Sequence, residues 1–233
     1  MTAQSANILI VGVGGLGCPA SLALAKARVE RLTLVDPDVV ELTNLHRQPW
    51  FRTSDIGKPK VLVAAERLRA AFPQLEVQAL AQRLDLSNVE ALLRGHQIAI
   101  DGTDEIETKF LLSDAVGVTN VPVVYGGVLR MQGQVMAILP GGPCLRCLFE
   151  QPPAADEVPT CSGAGVLGSV AGAIGALQAI TALRVLRGEL VPGEMLIFDG
   201  RSLRQRKITV RRAPGCGCSR PKSFRPEVRT CPA

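Results

Sequence analysis

The sequence predicts an α/β protein with a Rossmann-like, mostly parallel sheet, helices on both faces and an extension of antiparallel strands. Short apolar runs of β type alternate with helical patterns over the first half of the chain, as in βαβ units. A glycine cluster, VGVGGLG, directly follows the first run. After residue 125 the alternation gives way to GGVLRMQGQVMAILPGG, a segment typical of a β-hairpin.

The predicted elements follow one another in a regular order. Parallel strands are predicted over Asn7–Val11, Arg31–Val35, Glu76–Leu80, Gln97–Ile100 and Val121–Tyr125. Helices are predicted between them over Leu16–Ala27, Pro59–Ala71, Ser87–Arg94 and Glu105–Val116. Two final strands are predicted over Met195–Phe198 and Lys207–Val210. We predict a single domain over residues 1–218 and a disordered tail over residues 219–233.

The composition indicates an ordered protein in a reducing compartment. The chain has 233 residues, of which 47% are hydrophobic, enough for one large domain with a sizeable core. Its seven cysteines are odd in number, and its first residues do not form a secretory signal. We therefore expect a cytoplasmic protein whose thiols bind metal or carry out chemistry.

The stretch from Cys161 to Leu183 carries no charge and is long enough to cross a membrane. Gly, Ser, Ala, Thr and Gln fill much of it, and aromatic residues do not flank it. These features favour a buried helix in a protein without a membrane partner. Gly168 and Gly172 have a spacing that allows another backbone to approach closely.

The net charge of +5 is concentrated in a basic run, RSLRQRKITVRR, between Arg201 and Arg212. The favoured interpretation is the solvated face of a strand, because no aromatic residue interleaves the charges as base stacking would favour. Nucleic acid is therefore not the expected partner. An acidic protein partner, or RNA, stays open as an alternative.

A nucleotide site is predicted at the glycine cluster. Gly12, Gly14 and Gly17 satisfy G-x-G-x-x-G between a strand and a helix whose free N–H groups favour a phosphate. Asp36 ends the second strand, where a carboxylate can accept hydrogen bonds from ribose hydroxyls. By itself this pattern would indicate a nicotinamide or flavin dinucleotide.

The segment after Asp36, DPDVVELTNLHRQPWFRTSDIGKPK, changes the expected nucleotide to ATP. Polar and cationic residues lie there beyond the carboxyl end of the second strand, where α/β sheets bind ligands: Asn44, Arg47, Arg52, Lys58 and Lys60. A triphosphate attacked at its α-phosphorus has more charge to neutralise than a dinucleotide. Several cations at this edge therefore suit ATP better.

A second acidic segment, AIDGTDE, follows the fourth predicted strand. Asp101 and Asp104 would lie at the carboxyl edge of the sheet, where a carboxylate can hold Mg²⁺ that bridges phosphate oxygens. The spacing equally allows Asp104 to cap the helix predicted from Glu105.

Eight segments together resemble the MoeB/ThiF/HesA family, the prokaryotic relatives of ubiquitin-activating enzymes. They are VGVGGLGCPAS, LVDPDVVELTNLHRQ, IGKPK, DGTDE, VLRMQGQV, PCLRC, PTCSGAGVLG and PGCGC, and the resemblance spans residues 7–218. The resemblance implies ATP-dependent adenylylation of the C-terminal glycine of a small ubiquitin-like sulfur-carrier protein ending in Gly-Gly, with release of pyrophosphate. It further implies a homodimer that serves sulfur transfer in molybdopterin, thiamine or related biosynthesis.

The resemblance also implies roles for individual residues. Gly15 would approach the nucleotide, Asp36 would bind the ribose, and Asp104 would hold Mg²⁺. Contacts with the phosphates are implied for Asn44, Arg47 and Lys60. These cations and the metal would stabilise the charge that spreads over the α-phosphate and the departing pyrophosphate.

The cysteine pairs resemble the structural zinc site of the family. Cys144 and Cys147 form C-x-x-C, whereas the terminal pair, Cys216 and Cys218, is one residue shorter than the usual spacing. Four thiolates from two distant segments would tie the end of the chain to the hairpin region. Cys218 is the expected fourth ligand, and Cys231 is the alternative.

Cys161 resembles the loop cysteine of the family, which in some members forms a covalent link to the carrier during sulfur transfer. Its predicted place just before a helix would favour the thiolate. A structural or spare thiol is the alternative. Cys18, inside the first predicted helix, is interpreted as a small core residue.

Two departures from the family pattern bear on activity. The family usually has an N-terminal helical arm with an arginine that reaches the ATP of the neighbouring subunit, whereas only residues 1–6 precede the first predicted strand here. Glu105 stands where many relatives have Asn. Three other interpretations stay open: a tRNA-modifying member of the same superfamily, an NAD-dependent oxidoreductase, and a non-catalytic scaffold that binds a carrier.

Overall fold

The computed structural model of the chain describes residues 5–149 and 165–216. Its strands are β1 (Asn7–Val11), β2 (Arg31–Val35), β3 (Glu76–Leu80), β4 (Ile98–Asp101), β5 (Val123–Leu129), β6 (Gln132–Ile138), β7 (Glu194–Asp199) and β8 (Arg204–Thr209). Its helices are α1 (Gly17–Lys26), α2 (Lys60–Ala71), α3 (Val89–Arg94), α4 (Ile106–Thr119), α5 (Leu145–Leu148) and α6 (Gly168–Leu186).

The strands form one sheet with the order β3-β2-β1-β4-β5-β6-β7-β8. The five strands from β3 to β5 in this order are parallel, and β6, β7 and β8 are added in antiparallel pairs. The predicted fold class is therefore confirmed. The strand order reverses between β1 and β4, and ligands of open α/β sheets bind outside the carboxyl ends of the strands at such a point.

Both faces of β1, β2 and β4 are buried, as their mostly apolar sequences predict, whereas the edge strand β3 exposes alternate residues. Alternate residues of β1 point to opposite faces, so that Ile8 and Ile10 pack under α1, α2 and α6 whereas Leu9 and Val11 pack under α3 and α4. Helices therefore cover both faces of this part of the sheet.

The uncharged segment contributes residues 168–183 to α6, which packs against α1, β5 and β6. Within the described residues it is the one helix long and apolar enough to cross a membrane by length and composition. Ile174 and Gln178 are fully buried, but Ile180 is 51% exposed, so the predicted buried helix is buried along one face only. A Cβ at Gly168 would lie 2.9 Å from the carbonyl oxygen of His46, whereas Gly172 faces open space.

Four strands differ from their predicted bounds, β4 and β7 by one residue at each end and β5 and β8 by more. The larger differences arise because the antiparallel pairing is longer than the apolar runs. β5 continues to Leu129, where it pairs with Gln132 across the hairpin. β8 begins at Arg204 rather than at Lys207, because it pairs with β7 along the whole length of that strand. Polar residues at an edge strand carry little apolar signal, which is why the sequence placed this start too late.

Candidate nucleotide-binding site

The glycine turn after β1 fits only without side chains at two of its positions. Gly12 has a φ of +86°, and a Cβ there would lie 2.7 Å from the carbonyl carbon of Gly102. A Cβ at Gly17 would lie 1.9 Å from the carbonyl oxygen of Gly12. The turn therefore packs its backbone directly against the loop after β4, which is the close approach that this glycine spacing allows.

The other two glycines leave an open floor beside this packed turn. A Cβ at Gly14 would meet Gln48 Nε2 at 3.5 Å, and a Cβ at Gly15 would meet Arg47 O at 3.6 Å. These are ordinary contacts, so the local fold does not demand glycine at either position. A ligand that approaches the backbone at Gly14 and Gly15 would explain them.

Asp36 lies at the end of β2 with both carboxylate oxygens engaged. Oδ2 accepts a hydrogen bond from Val13 N–H at 2.7 Å, and Oδ1 accepts one from Asp38 N–H at 2.8 Å. A carboxylate accepts about four hydrogen bonds, so each oxygen can still accept one from a ribose hydroxyl. Burial raises the pKa of Asp36, and the charge of Lys60 together with these two N–H groups offsets that rise only in part.

Lys60 begins α2 and is 6% exposed. Its Nζ donates to Asp38 Oδ2 at 2.7 Å, and its charge is close enough to lower the pKa of Asp36. The structure therefore brings Lys60 to the carboxyl end of β2, as predicted. Asp38 is a partner that the sequence did not single out, because an acid in a loop is usually solvated.

Asn44 ends the short 3₁₀ turn Leu42–Asn44, and Arg47 lies on the segment that follows it. Arg47 Nη1 donates to the carbonyl oxygen of Thr43 at 3.0 Å. A Cβ at Gly168 would lie 3.2 Å from Arg47 Cα, so the start of α6 presses this segment against the glycine turn. Asn44 is half-buried and contacts Thr43 Oγ1 at 3.4 Å.

Lys58, another cation predicted at this edge, forms an ion pair with Asp55. Its Nζ lies 3.4 Å from Asp55 Oδ1, and its side chain is 59% exposed. Asp55 also accepts a hydrogen bond from Arg52 N–H at 2.9 Å and pairs with Arg67. Burial raises the pKa of Asp55, but these donors outweigh it and hold the pKa below its ordinary value. Lys58 therefore helps to hold a loop rather than the nucleotide edge.

Asp104 is presented by a loop whose other polar side chains are bonded within the protein. Thr103 bonds to Asp101 Oδ1 through N–H at 3.1 Å and through Oγ1 at 2.7 Å. Arg83 Nη1 bonds to both oxygens of Glu105, at 2.6 and 2.7 Å. α4 begins at Ile106 without a side-chain cap, so Asp104 does not cap it. Within the described residues the exposed Asp104 carboxylate has no hydrogen-bond partner, and Glu105 is turned away to Arg83.

A buried ion pair lies under this loop, and the sequence did not reveal it. Lys109 Nζ bonds to Asp101 Oδ2 at 3.0 Å and to the carbonyl oxygen of Gly126 at 2.7 Å. The side chain of Asp101 is 1% exposed, so it is a structural partner of Lys109. Gln178 Nε2 of α6 donates to the Asp101 carbonyl oxygen at 2.7 Å. Only the spacing of Asp101 and Lys109 across the first turn of α4 hints at this contact.

Gln48 is a second residue that the sequence did not single out. It is 4% exposed and lies beside Gly14, and its Oε1 has no hydrogen-bond partner in the described structure. A buried amide with a free acceptor is uncommon. Its only sequence signal is that it directly follows Arg47.

Three of the predicted zinc ligands meet at the opposite ends of the strands from the glycine turn. Cys144 Sγ lies 3.8 Å from Cys147 Sγ and 3.5 Å from Cys216 Sγ, and the three thiols could hold a metal ion. Ile138 at the end of β6 pairs with Val123 at the start of β5, so the chain reaches this cluster at the amino ends of the parallel strands. Such a site would serve the fold and not the nucleotide.

Three predicted cysteines, Cys161, Cys218 and Cys231, lie outside the described residues, as does the predicted tail. Cys18 is fully buried in α1, and its Sγ donates to the carbonyl oxygen of Val13 at 3.3 Å. Burial raises the pKa of this thiol. The structure thus agrees with a small core residue at position 18.

Comparisons with known proteins agree with this geometry. A sulfur carrier protein adenylyltransferase of Thermus thermophilus is 41% identical over 91% of this chain and 82% of its own. A SAMP-activating enzyme E1 of Haloferax volcanii is 37% identical over 91% of this chain and 79% of its own. The adenylyltransferase and sulfurtransferase MOCS3 of Anopheles gambiae is 39% identical, and the chain spans about half of its length (50%).

Solved structures show the same fold at lower identity. Escherichia coli MccB with ATP superposes with a TM-score of 0.80 at 20% identity, over 93% of this chain and 67% of that one. The model of the ThiF family matches residues 2–219, which include every strand and helix described above. The chain therefore belongs to the ThiF family.

Proposed function

We propose that the protein uses ATP to adenylylate the C-terminal glycine of a small ubiquitin-like sulfur-carrier protein and releases pyrophosphate. One observation carries this proposal: the glycine floor, Asp36, the Arg47 segment, Lys60 and the Asp104 loop lie around one switch point of the sheet. Relatives at 37–41% identity are named as activators or adenylyltransferases of such proteins. A dinucleotide would leave the cations of this edge without a role.

The nucleotide would lie across the carboxyl ends of β1, β2 and β4. Asp36 would accept hydrogen bonds from the ribose hydroxyls, and the phosphates would cross the backbone at Gly14 and Gly15. Arg47 and Lys60 would then flank the triphosphate. Lys60 has three donors, so it can keep its bond to Asp38 and still reach a phosphate oxygen.

Asp104 would hold Mg²⁺. Mg²⁺ is commonly bound by one or two carboxylates, substrate phosphates and waters, and an exposed, unbonded carboxylate beside the glycine turn fits that donor set. Glu105 fits less well, because Arg83 holds both of its oxygens. When bound, the ion would neutralise charge on the phosphates.

The residues of the chain would bind and orient the reactants, and the reaction would not require them to transfer a proton. A carrier C-terminal carboxylate is ionised at neutral pH, so its oxygen can attack the α-phosphorus without a general base. The new oxygen–phosphorus bond forms as the bond from the α-phosphorus to the bridging oxygen of pyrophosphate breaks. Arg47 and Lys60 would stabilise the charge on the α-phosphate and the leaving pyrophosphate.

We also propose that Cys144, Cys147 and Cys216 bind zinc, with Cys218 as the fourth ligand and Cys231 as its alternative. The convergence of three thiols supports this proposal. Zinc content measured in Cys218→Ser and in Cys231→Ser would identify the fourth ligand: loss of zinc is expected in the first variant and not in the second.

A homodimer in the cytoplasm and a covalent link between Cys161 and the carrier are part of the same proposal. An apolar groove beside α6, which includes Leu177 and the half-exposed Ile180, supports a subunit interface. Light scattering of the purified protein tests the dimer. Attack of the Cys161 thiolate on the carrier acyl-adenylate would form a thioester and release AMP, so a thiol-labile conjugate that forms with wild type and not with Cys161→Ser tests the link.

Mass spectrometry of the carrier tests the main reaction most simply. The enzyme is incubated with ATP, Mg²⁺ and candidate carriers ending in Gly-Gly, and the intact carrier is weighed. We expect one AMP moiety on a carrier whose terminal glycine is present and none on the same carrier without that glycine. AMP transfer to tRNA, or to no carrier of a wide panel, would contradict the proposal.

A further inference from the structure

β8 is an edge strand that is exposed on both of its faces. All six of its residues are exposed, and no described strand pairs with its outer edge. Because side chains alternate along a strand, Arg204 and Arg206 share one face, whereas Lys207 lies on the other with Gln205. Lys207 borders the groove beside α6 and pairs with Glu194 at 3.3 Å.

The face of Arg204 and Arg206 continues toward the nucleotide site as an open shelf. The register places Gly127, Gln134, Ile197 and Arg206 side by side on β5, β6, β7 and β8. Gln134 and Ile197 are half-exposed, and Gln134 Nε2 bonds to Tyr125 Oη at 2.7 Å. Tyr125 in turn lies under Lys109, which belongs to the helix that follows Asp104. The two arginines and the Asp104 loop therefore lie on the same side of the sheet.

The shelf arginines have free charges. Within the described residues neither Arg204 nor Arg206 forms an ion pair, although nearby Arg184 and Lys207 both pair with Glu194. Arg130 and Arg201 are also exposed and line a cavity of about 350 Å³ at the end of the shelf. Two arginines without ion pairs on one face of β8, with two more exposed arginines at the end of the shelf, would attract an acidic surface.

We infer that the shelf arginines, Arg204 and Arg206, dock an acidic surface of the carrier protein, which rests on the proposed function. Within the described residues, a folded carrier bound at β8 has an open path along the shelf toward the nucleotide, about three strand spacings or 14 Å from Arg206 to Gly127. Backbone pairing to the free edge of β8 is also available to a protein. The inferred contact gives the enzyme selectivity for acidic carriers.

The shelf suits a protein better than an RNA. Asp199 lies between Gln132 and Arg204 in the next row of the shelf, and its carboxylate would repel a phosphate backbone. Hydrogen bonds from Arg201 N–H and Ser202 hold the pKa of Asp199 below its ordinary value, so it is charged at neutral pH. A mixed pattern of one acid among arginines matches a protein surface, on which both signs occur.

The test measures, by fluorescence anisotropy, how tightly each enzyme variant binds the carrier that accepts AMP from the wild-type enzyme. Arg204→Glu/Arg206→Glu is expected to raise the carrier Kd about tenfold or more and to leave the ATP Kd within about twofold. Lys207→Gln is the matched control, because its cation is paired on the opposite face, and it should change the carrier Kd less than about twofold. A carrier with an acidic surface residue changed to Arg should recover affinity for the charge-reversed enzyme.

Three results would overturn the inference while leaving adenylylation intact. The first is a carrier Kd that is equal in wild type and Arg204→Glu/Arg206→Glu. The second is direct binding of tRNA to the wild type that is lost in that variant while the carrier Kd is unchanged, which would assign the shelf to RNA. The third is aggregation of the variant with unchanged carrier affinity, which would mean that the arginines only protect the edge strand. Failure of the proposed function differs from all three, since wild type would then transfer AMP to no carrier.

Discussion

In the proposed site, Asp36 would join nucleotide recognition to the glycine turn, because its carboxylate accepts a hydrogen bond from Val13 N–H and would also bind the ribose. Asp36→Asn should weaken binding of a non-hydrolysable ATP analogue about tenfold, since hydrogen bonds to a charged group contribute about 1.5–3 kcal/mol. The pKa of Asp36 is raised from its ordinary value of 3.8. As the solution is acidified, the affinity of the wild type for the ATP analogue should therefore begin to fall at a higher pH than it would with an aspartate of ordinary pKa. Calorimetric titrations over a pH series test this. If the affinity of Asp36→Asn falls at acidic pH in the same way as that of the wild type, the pH dependence belongs to another group.

The ion pair between Lys109 and Asp101 leads to a prediction about stability, also for single residues. Lys109→Met leaves the buried Asp101 carboxylate without its cation and should lower the free energy of unfolding by about 3–5 kcal/mol. The double variant Asp101→Asn/Lys109→Met should recover part of this loss, because no uncompensated charge remains. Urea unfolding measures all of these. Lys26→Met, at an exposed lysine of α1, is the control and should change stability little. Equal loss in the single and double variants would show that the pair is not the cause.

Helix α6 offers a matched pair of glycines at the scale of one element. A Cβ at Gly175 would lie 2.3 Å from the carbonyl oxygen of Leu16, which directly precedes Gly17 in the glycine turn, whereas Gly172 faces open space. Gly172→Ala should therefore stabilise the protein by about 0.5–1 kcal/mol, the helical preference of Ala over Gly. Gly175→Ala should destabilise it by about 1–3 kcal/mol through overpacking and should also weaken ATP binding. Thermal unfolding of both variants tests the contrast, and equal shifts would contradict the close approach of α6 to the turn.

The helices and strands were predictable where their burial leaves a recognisable pattern of apolar residues in the sequence. β1, β2 and β3 have the predicted bounds because apolar runs and turn residues mark them on both sides. The start of β8 was missed because an exposed edge strand is specified by backbone pairing and not by apolar residues. α6 was predicted as buried, but its exposed face depends on what packs beside it. The glycine turn and its neighbours were predictable as a site, whereas Asp38, Gln48 and Lys109 were not, since contacts across the fold select them.

The whole molecule separates its two predicted ligand sites. The nucleotide would bind at the carboxyl ends of the parallel strands, and the thiol cluster lies at their amino ends. Removal of metal by a chelator should therefore lower the midpoint of thermal unfolding and leave the ATP Kd within about twofold. Cys144→Ser should reproduce both results without a chelator. A chelator that abolishes ATP binding while the protein stays folded would contradict this separation.

The central claim is that Arg47 and Lys60 act on the triphosphate, and ATP–pyrophosphate exchange tests it most directly. Exchange is measured with a carrier ending in Gly-Gly for wild type, Arg47→Ala, Lys60→Ala and, as the control, Lys58→Ala, whose cation pairs with Asp55. We predict exchange that requires the carrier, falls about a hundredfold in the first two variants and persists in the control. Wild-type exchange rates in both folded Arg47→Ala and folded Lys60→Ala would contradict the account.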